Sequence, residues 1–295
     1  MKSQDNRMVY KLIDCGSFQK CEQVGPYVIS RPAAQAVWSP KKNPDQWKVD
    51  AEFIRLRGGE GQWNFKSTKK NPDPFTIEQD GVRQKVKFTD FGHLGFFAEH
   101  VSAWKKLRHS IRSFQKHCVN SELVRVLNLF AYTGGASIAC AQEGAECTHV
   151  DASKSSVAWG RENLELNTQV PGKIRWIIED AQKYCVRESK RKSKYEIIVL
   201  DPPTYGRGPN REIWDIEKHL IPLLTELKEL VDPKKFMVLL SAHSPGYTPV
   251  SLLQLLKQQF PMTKYSESSE LVVTTESGLL LPAGAYACIS TEKIL

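Results

Sequence analysis

"VRVLNLFAYTGGAS", residues 124–137, is an apolar run that ends in Thr133-Gly134-Gly135 and gives way to helix-forming residues. An apolar run of this length reads as a strand buried on both faces, and glycines at its end let the backbone approach a ligand closely. A helix starting near Gly135 would offer unpaired N–H groups to an anionic group. The same turn also serves packing alone. The GxGxxG pattern is absent, which argues against a dinucleotide-dependent dehydrogenase.

Downstream, apolar strands alternate with helical segments. Strands are predicted at "CTHVD", "KIRWIIED", "YEIIVLD" and "KFMVLLSAHS", with helices starting near Gly135, Ser153, Ala181, Glu212 and Thr248. "MTKYSESSEL" and "AYACISTEKI" add two more strands. This order predicts an α/β fold, a doubly wound, mostly parallel seven-stranded sheet of Rossmann-like type, over residues 120–295.

Upstream, residues 1–73 read as a small β-rich accessory domain with short apolar runs ("YKLID", "PYVIS", "AVW", "WNF") among Pro, Gly and Trp. Residues 74–119 read as a hairpin and a connecting helix. In "FTIEQDGVRQKVKFT" (75–89), Asp80-Gly81 suits a type I′ turn. From Glu99 to Cys118, Trp104, Leu107, Ile111 and Phe114 repeat at helical spacing, with Lys105, Arg108, Arg112 and Lys116 largely elsewhere on the surface. That basic face is either solvated or in contact with RNA.

Composition narrows the function. A length of 295 residues suits one large domain with a small accessory one. The net charge of +8 suggests a polyanionic partner, because clustered Lys and Arg bind nucleic acid by releasing counterions. The seven cysteines are scattered and form no CxxC pair, which argues against zinc and a disulfide framework and for a reducing compartment. No apolar run reaches the roughly 18 residues of a membrane span, and the amino terminus lacks a signal core. The chain reads as cytoplasmic.

In a doubly wound sheet, ligands bind outside the carboxyl ends of the strands. The second strand ends in Asp151, which suits ribose hydroxyls or, alternatively, the cap of the next helix, where Ser153 serves equally. The third ends near Asp180, which can accept an adenine amino proton or cap a helix. The fourth ends in "DPPTYGRG" (201–208), where Pro202 and Pro203 cannot extend a central strand and hold Asp201 and Tyr205 at fixed angles. Without chemistry, it would be a rigid turn.

Taken together, these residues resemble the class I S-adenosylmethionine-dependent methyltransferases over roughly residues 120–290. "LNLFAYTGG" resembles their first motif, Asp151 their ribose-binding acid, "EDA" their adenine-side acid and "DPPTY" the motif that faces the acceptor. The resemblance implies an S-adenosyl-L-methionine cofactor. It would be held by Phe130, Tyr132, Thr133, Gly134, Gly135, Asp151, Ala152, Ser153, Asp180, Ala181 and Asp201, with Asp201, Pro202, Pro203 and Tyr205 on the catalytic side. More loosely, "HLGFFAEH" (93–100) resembles a segment of the bacterial large-subunit ribosomal RNA methyltransferases. By that likeness Phe96 and Phe97 would close over the cofactor, unless they are core aromatics.

The resemblance has one departure. The cytosine-5 members attack with a cysteine after the fifth strand, but here the segment reads "LLSAHSPGY", with Ala242 and His243 at that place. A non-covalent route is therefore expected. The expected function is methylation of a ribosomal RNA base, with Asp201 orienting the acceptor, Tyr205 stacking on the base and Arg207 holding a phosphate. His243 either touches the acceptor or is structural. Alternatives are a small-molecule or protein methyltransferase, or a catalytically silent cofactor- and RNA-binding protein. Clustering of Arg55, Arg57, Lys66, Lys69 and Lys70 at the cleft would favour RNA.

Overall fold

The computed structural model describes residues 8–56, 60–66, 72–116, 123–208 and 212–294. The chain forms two compact units: Met1–Val101 with Val272–Ala283, and Ser102–Leu271 with Gly284–Leu295.

In the first unit, β1 (Tyr10–Gly16), β2 (Gln19–Val24), β3 (Tyr27–Pro32), β4 (Ala51–Arg55) and β5 (Gly61–Phe65) form one sheet in that order. All its neighbours are antiparallel except β3 and β4. "AVW" (36–38) is not a strand, but the Ala36 and Trp38 carbonyls accept from the Phe18 and Ser17 amides. A second sheet pairs β6 (Phe75–Gln79) with β7 (Val82–Val86). Asp80 (φ 48°) and Gly81 (φ 76°) are both left-handed, as a type I′ turn demands. The inward residues Ile77 and Val86 join Val24, Ile29, Phe88 and Leu94 in this unit's core.

In the second unit, α1 (Val101–Lys116, Ser102 onward) packs through Ala103, Leu107, Ile111 and Phe114. Its predicted extension to Cys118 reaches residues outside those described. Three of its basic side chains are engaged within the unit: Arg108 and Arg112 pair with Glu143, and Lys106 with Glu267. Charges spent in this way are less available to an external polyanion.

The central sheet has seven strands. They are β8 (Arg125–Leu129), β9 (Glu146–Asp151), β10 (Lys173–Ile178), β11 (Ile197–Leu200), β14 (Met237–Ala242), β15 (Tyr265–Thr274) and β16 (Leu280–Ser290). Their spatial order is β10-β9-β8-β11-β14-β16-β15; β16 runs antiparallel to β14, and the five strands from β10 to β14 are parallel. The interleaved helices are α2 (Gly135–Gln142), α3 (Lys154–Glu165), α4 (Ala181–Lys190), α5 (Ile216–Lys228) and α6 (Pro249–Gln259). Alternate strand residues serve opposite faces. Leu127, Ile198 and Leu240 pack with Leu220, Leu223 and Leu252 of α5 and α6, whereas Val126, Ile197 and Leu239 pack with Leu107 and Ile111 of α1. Burial on both faces is why these strands read as continuous apolar runs. Strand order reverses between β8 and β11, the point at whose carboxyl ends doubly wound sheets bind their ligands.

One predicted element begins elsewhere. The helix expected near Glu212 starts at Ile216, because Ile213–Asp215 forms a short strand, β13, paired with β12 (Tyr205–Arg207). Asp215 then caps α5 through the Glu217 amide. Among the described residues, no helix is long and apolar enough to cross a membrane.

Candidate active site

The turn after β8 is the most strained backbone in the second unit. Phe130 (φ 54°) and Tyr132 (φ 50°) are left-handed without being glycine, and Gly134 (φ 82°) caps α2. Such conformations cost on the order of 1–3 kcal/mol each and persist only where their surroundings hold them. Here two contacts do so: the Tyr132 N–H donates to Asp151 Oδ2 (2.8 Å), and Asn163 Nδ2 donates to the Thr133 carbonyl (2.9 Å). A Cβ on Gly134 would lie 3.3 Å from the Trp176 ring, so glycine suits both the dihedral and the space.

Asp151 accepts a second bond on Oδ1, from the Ser153 amide (2.8 Å). Burial raises its pKa, while the two amide bonds work in the opposite direction. The α3 cap is Ser153, whose hydroxyl accepts from the Ser156 amide, so Asp151 is not the capping residue. A carboxylate has about four lone-pair sites. The acid is therefore fixed in place with acceptor capacity left for hydroxyl donors. Asp180 lies two residues past β10 and does cap a helix, through the Lys183 amide on Oδ1 (3.0 Å). That cap engages one oxygen, and Ala181 behind it is buried.

Asp201 follows β11 directly. In the parallel pair of β11 and β14, Leu200 lies opposite Leu240, which places Asp201 beside Ser241. The buried Ser241 hydroxyl donates to Asp201 Oδ1 (2.6 Å), and His243 Nε2 lies 3.3 Å from the same oxygen. A Cβ on Gly284 would sit 2.7 Å from His243 Nδ1, so glycine there keeps room for the imidazole. Pro202 is buried, and the Pro203 carbonyl accepts from Trp214 Nε1 (2.7 Å). The Trp214 ring also packs on Phe130 (4.7 Å between centroids), joining the first turn to the proline turn. Gly206 pairs with Trp214 across the β12–β13 ribbon. Alternation then puts Tyr205 and Arg207 on the opposite, solvent face, where Tyr205 is 55% exposed.

The predicted residues from Phe130 to Asp201 thus stand together at the carboxyl edge of β8 to β11. Tyr205, Arg207 and His243 lie on the adjoining segments. Phe96 and Phe97 belong to the first unit, where Phe96 is buried edge-on to Tyr10 and Phe97 packs edge-on to His93. Arg55 and Lys66 lie at opposite ends of the β4–β5 ladder; Arg57, Lys69 and Lys70 lie outside the described residues. Ser241, Trp214, Asn163 and Gly284 were not foreseen. Each acts through a partner distant in sequence, and only the folded arrangement of strands and helices reveals it.

Beneath the first turn lies a polar chain. Asn128 Nδ2 donates to Ser137 Oγ (2.9 Å), which lies 3.0 Å from His149 Nδ1. Burial pushes the His149 pKa down to about 3, and the nearby Arg161 charge adds to this. The unfolded chain, with a histidine pKa near 6.5, binds the extra proton between these values. The stabilising contribution is therefore complete above pH ~6.5 and is lost as pH falls toward 3, at up to about 1.4 kcal/mol per pH unit. Urea unfolding at pH 7.5, 6.0 and 5.0 should show this slope reduced in His149→Gln. An unchanged slope would rule out His149 as its source.

The family model for S-adenosylmethionine-dependent methyltransferases matches residues 75–275. The chain belongs to that family. A crystal structure of the S-adenosylmethionine-dependent methyltransferase from Agrobacterium tumefaciens is 35% identical and superposes with a TM-score of 0.87, over 96% of this chain and 90% of that one. Two curated relatives are both named ribosomal RNA large subunit methyltransferase K/L. The protein from Pseudoalteromonas translucida is 30% identical over 199 residues (66% of this chain), and that from Vibrio cholerae 29% over 195 (64%). This methyltransferase spans about a quarter of their length, 26% in each case. The donor set described above fits the family's cofactor: an anchored acid with acceptor capacity for hydroxyl groups, a second acid one strand away, and a glycine turn that admits close backbone approach.

Proposed function

We propose that this methyltransferase methylates a base nitrogen of RNA, with large-subunit ribosomal RNA as substrate, by direct non-covalent transfer. The observation that carries the reading is Asp201, held by Ser241 at the end of β11 and followed by two prolines and an exposed tyrosine. Asp151 would hold the ribose of S-adenosyl-L-methionine, Asp180 and Ala181 its adenine edge, and the turn from Phe130 to Gly135 its backbone-facing side. When bound, the cofactor supplies a methyl group on a positively charged sulfur, open to attack by a lone pair.

What the chain must add is orientation, which can contribute most of the rate enhancement. Asp201 and the Pro202 carbonyl accept hydrogen bonds from the target nitrogen and aim its lone pair. Tyr205 stacks on the unpaired base and Arg207 engages a phosphate. His243 bonds Asp201 and steadies it. The β-rich N-terminal region, expected over residues 1–73 with the hairpin and helix of 74–119, serves substrate recognition. Two observations favour RNA: the net charge of +8, and the names of the relatives.

The non-covalent route is supported by the six described cysteines. All are buried, and burial raises the pKa of each thiol. A nucleophilic thiolate needs the reverse. Cys185→Ala is expected to keep kcat within about threefold, since loss of a covalent nucleophile would cost orders of magnitude. Abolished turnover in a folded variant would overturn the non-covalent mechanism. The substrate itself is tested by incubating the full chain with methyl-labelled cofactor, undermethylated large-subunit ribosomal RNA, and protein and metabolite fractions. Label is expected in RNA, at one base located by mass spectrometry. Label confined to protein or a metabolite refutes the reading.

A further inference from the structure

The first unit contains a cavity of about 170 Å³ on one face of its five-stranded sheet. Its floor is charged. Glu22 is fully buried and holds Arg31 through two bonds, Nε to Oε2 (2.7 Å) and Nη2 to Oε1 (2.8 Å). The Tyr10 hydroxyl donates to Oε1 (2.8 Å), and the Lys20 ammonium lies 3.0 Å from it. Glu99 also lines the cavity, so Arg31 and Lys20 stand against two carboxylates. Burial alone would raise the Glu22 pKa; the charges of Arg31 and Lys20 override it and bring it down to about 2, so these ion pairs persist across the working pH range. Arg55 adds an exposed cation that makes the lining net positive.

The mouth is aromatic and its loop is anchored. Phe91 is 55% exposed, although its loop is tied down on the next residue: Arg31 Nη1 donates to the Gly92 carbonyl (2.8 Å). Gly92 is left-handed (φ 75°), and a Cβ there would lie 2.6 Å from the Phe53 ring, so the loop can lie this close only with glycine. A large exposed aromatic on a fixed loop is a preorganised stacking platform, and a fixed shape of this kind loses little entropy on binding. The cavity is well under the ~300 Å³ at which pockets for drug-sized ligands begin. That space suits one flat ring system, with the anionic remainder of the ligand lying outside against the cations.

We propose that this cavity takes one unpaired nucleotide of the RNA substrate, distinct from the base that is methylated. Its base stacks on Phe91, and its phosphate lies at Arg55 and Lys20. The inference rests on the RNA reading above and adds the position and chemistry of a second contact. The test uses the full chain with a single-stranded oligonucleotide from the mapped substrate and the same sequence annealed into a duplex. Phe91→Ala and Arg55→Glu, both at exposed positions, should each weaken single-strand binding about tenfold, in line with the loss of one stacked base or one phosphate contact. Cofactor affinity and thermal unfolding should be unchanged. Ultraviolet cross-linking should place a nucleotide on the peptide containing Phe91. Variants that bind like wild type, equal affinity for the duplex, or cross-links confined to other peptides would overturn the second contact while leaving the RNA reading intact. A wild-type chain that labels no RNA refutes the RNA reading instead.

Discussion

Asp201→Ala is expected to lower kcat by about 10³-fold while cofactor affinity falls by less than about threefold. The estimate follows from the role proposed for the carboxylate. A group that positions a proton-bearing acceptor contributes typically 10²- to 10⁴-fold, and it does so in the transition state. KM for RNA should move little, because stacking and phosphate contacts lie on other residues. Ser241 offers an independent check, since its shortest hydroxyl contact is with the acid and the other, at 3.5 Å, is with the Leu200 carbonyl. Its 2.6 Å bond to Oδ1 is charge-assisted, and such bonds are worth about 1.5–3 kcal/mol. Ser241→Ala should therefore reduce kcat by about 10- to 100-fold, and Ser241→Thr, which keeps the hydroxyl, should recover part of it. Single-turnover rates at saturating cofactor give the measurement. An Asp201→Ala enzyme within tenfold of wild type would remove the acid from the acceptor side, and would leave the proline turn as a structural element only.

The second large effect is expected at Asp151. Asp151→Ala removes the partner of the Tyr132 and Ser153 amides together with the proposed ribose acceptor. Two losses combine: hydrogen bonds to a charged group, worth about 1.5–3 kcal/mol each, and the support of a strained turn. Cofactor affinity should fall by at least 100-fold, measured calorimetrically, with kcat at saturation changed much less. Asp151→Asn separates the two contributions. It can still accept one amide bond, so the turn should survive while ribose binding weakens by about tenfold. If Asp151→Asn bound the cofactor like wild type, the acid would be a scaffold for the turn and not a ligand for the ribose.

Much of the site was legible because parallel sheets concentrate function at strand ends. Asp151, Asp180 and Asp201 each stand at or just past the end of an apolar run, and the doubly wound order brings those ends together. The type I′ turn at Asp80-Gly81 was readable for a different reason, since its two left-handed residues are a local requirement. What could not be read was which of the acids would cap a helix. Asp180 caps α4, whereas Asp151 leaves that task to Ser153. Both pairs of donors lie within a few residues, and the choice turns on a backbone angle that residue type does not dictate.

The apolar runs of the parallel strands, their spacing and the residues that end them were determined by the sequence alone. Strands buried on both faces must be apolar, and a pair of prolines cannot continue a central strand. Tertiary structure decided what supports those ends. Ser241 reaches Asp201 only because β11 and β14 pair in one register, with Leu200 opposite Leu240. Trp214 reaches the Pro203 carbonyl only because residues 213–215 turn back as a strand instead of opening a helix. Such contacts join positions 11 to 40 residues apart. No local preference encodes them, because the energy that selects them comes from burial and hydrogen bonding across strands that are neighbours only once the sheet has formed.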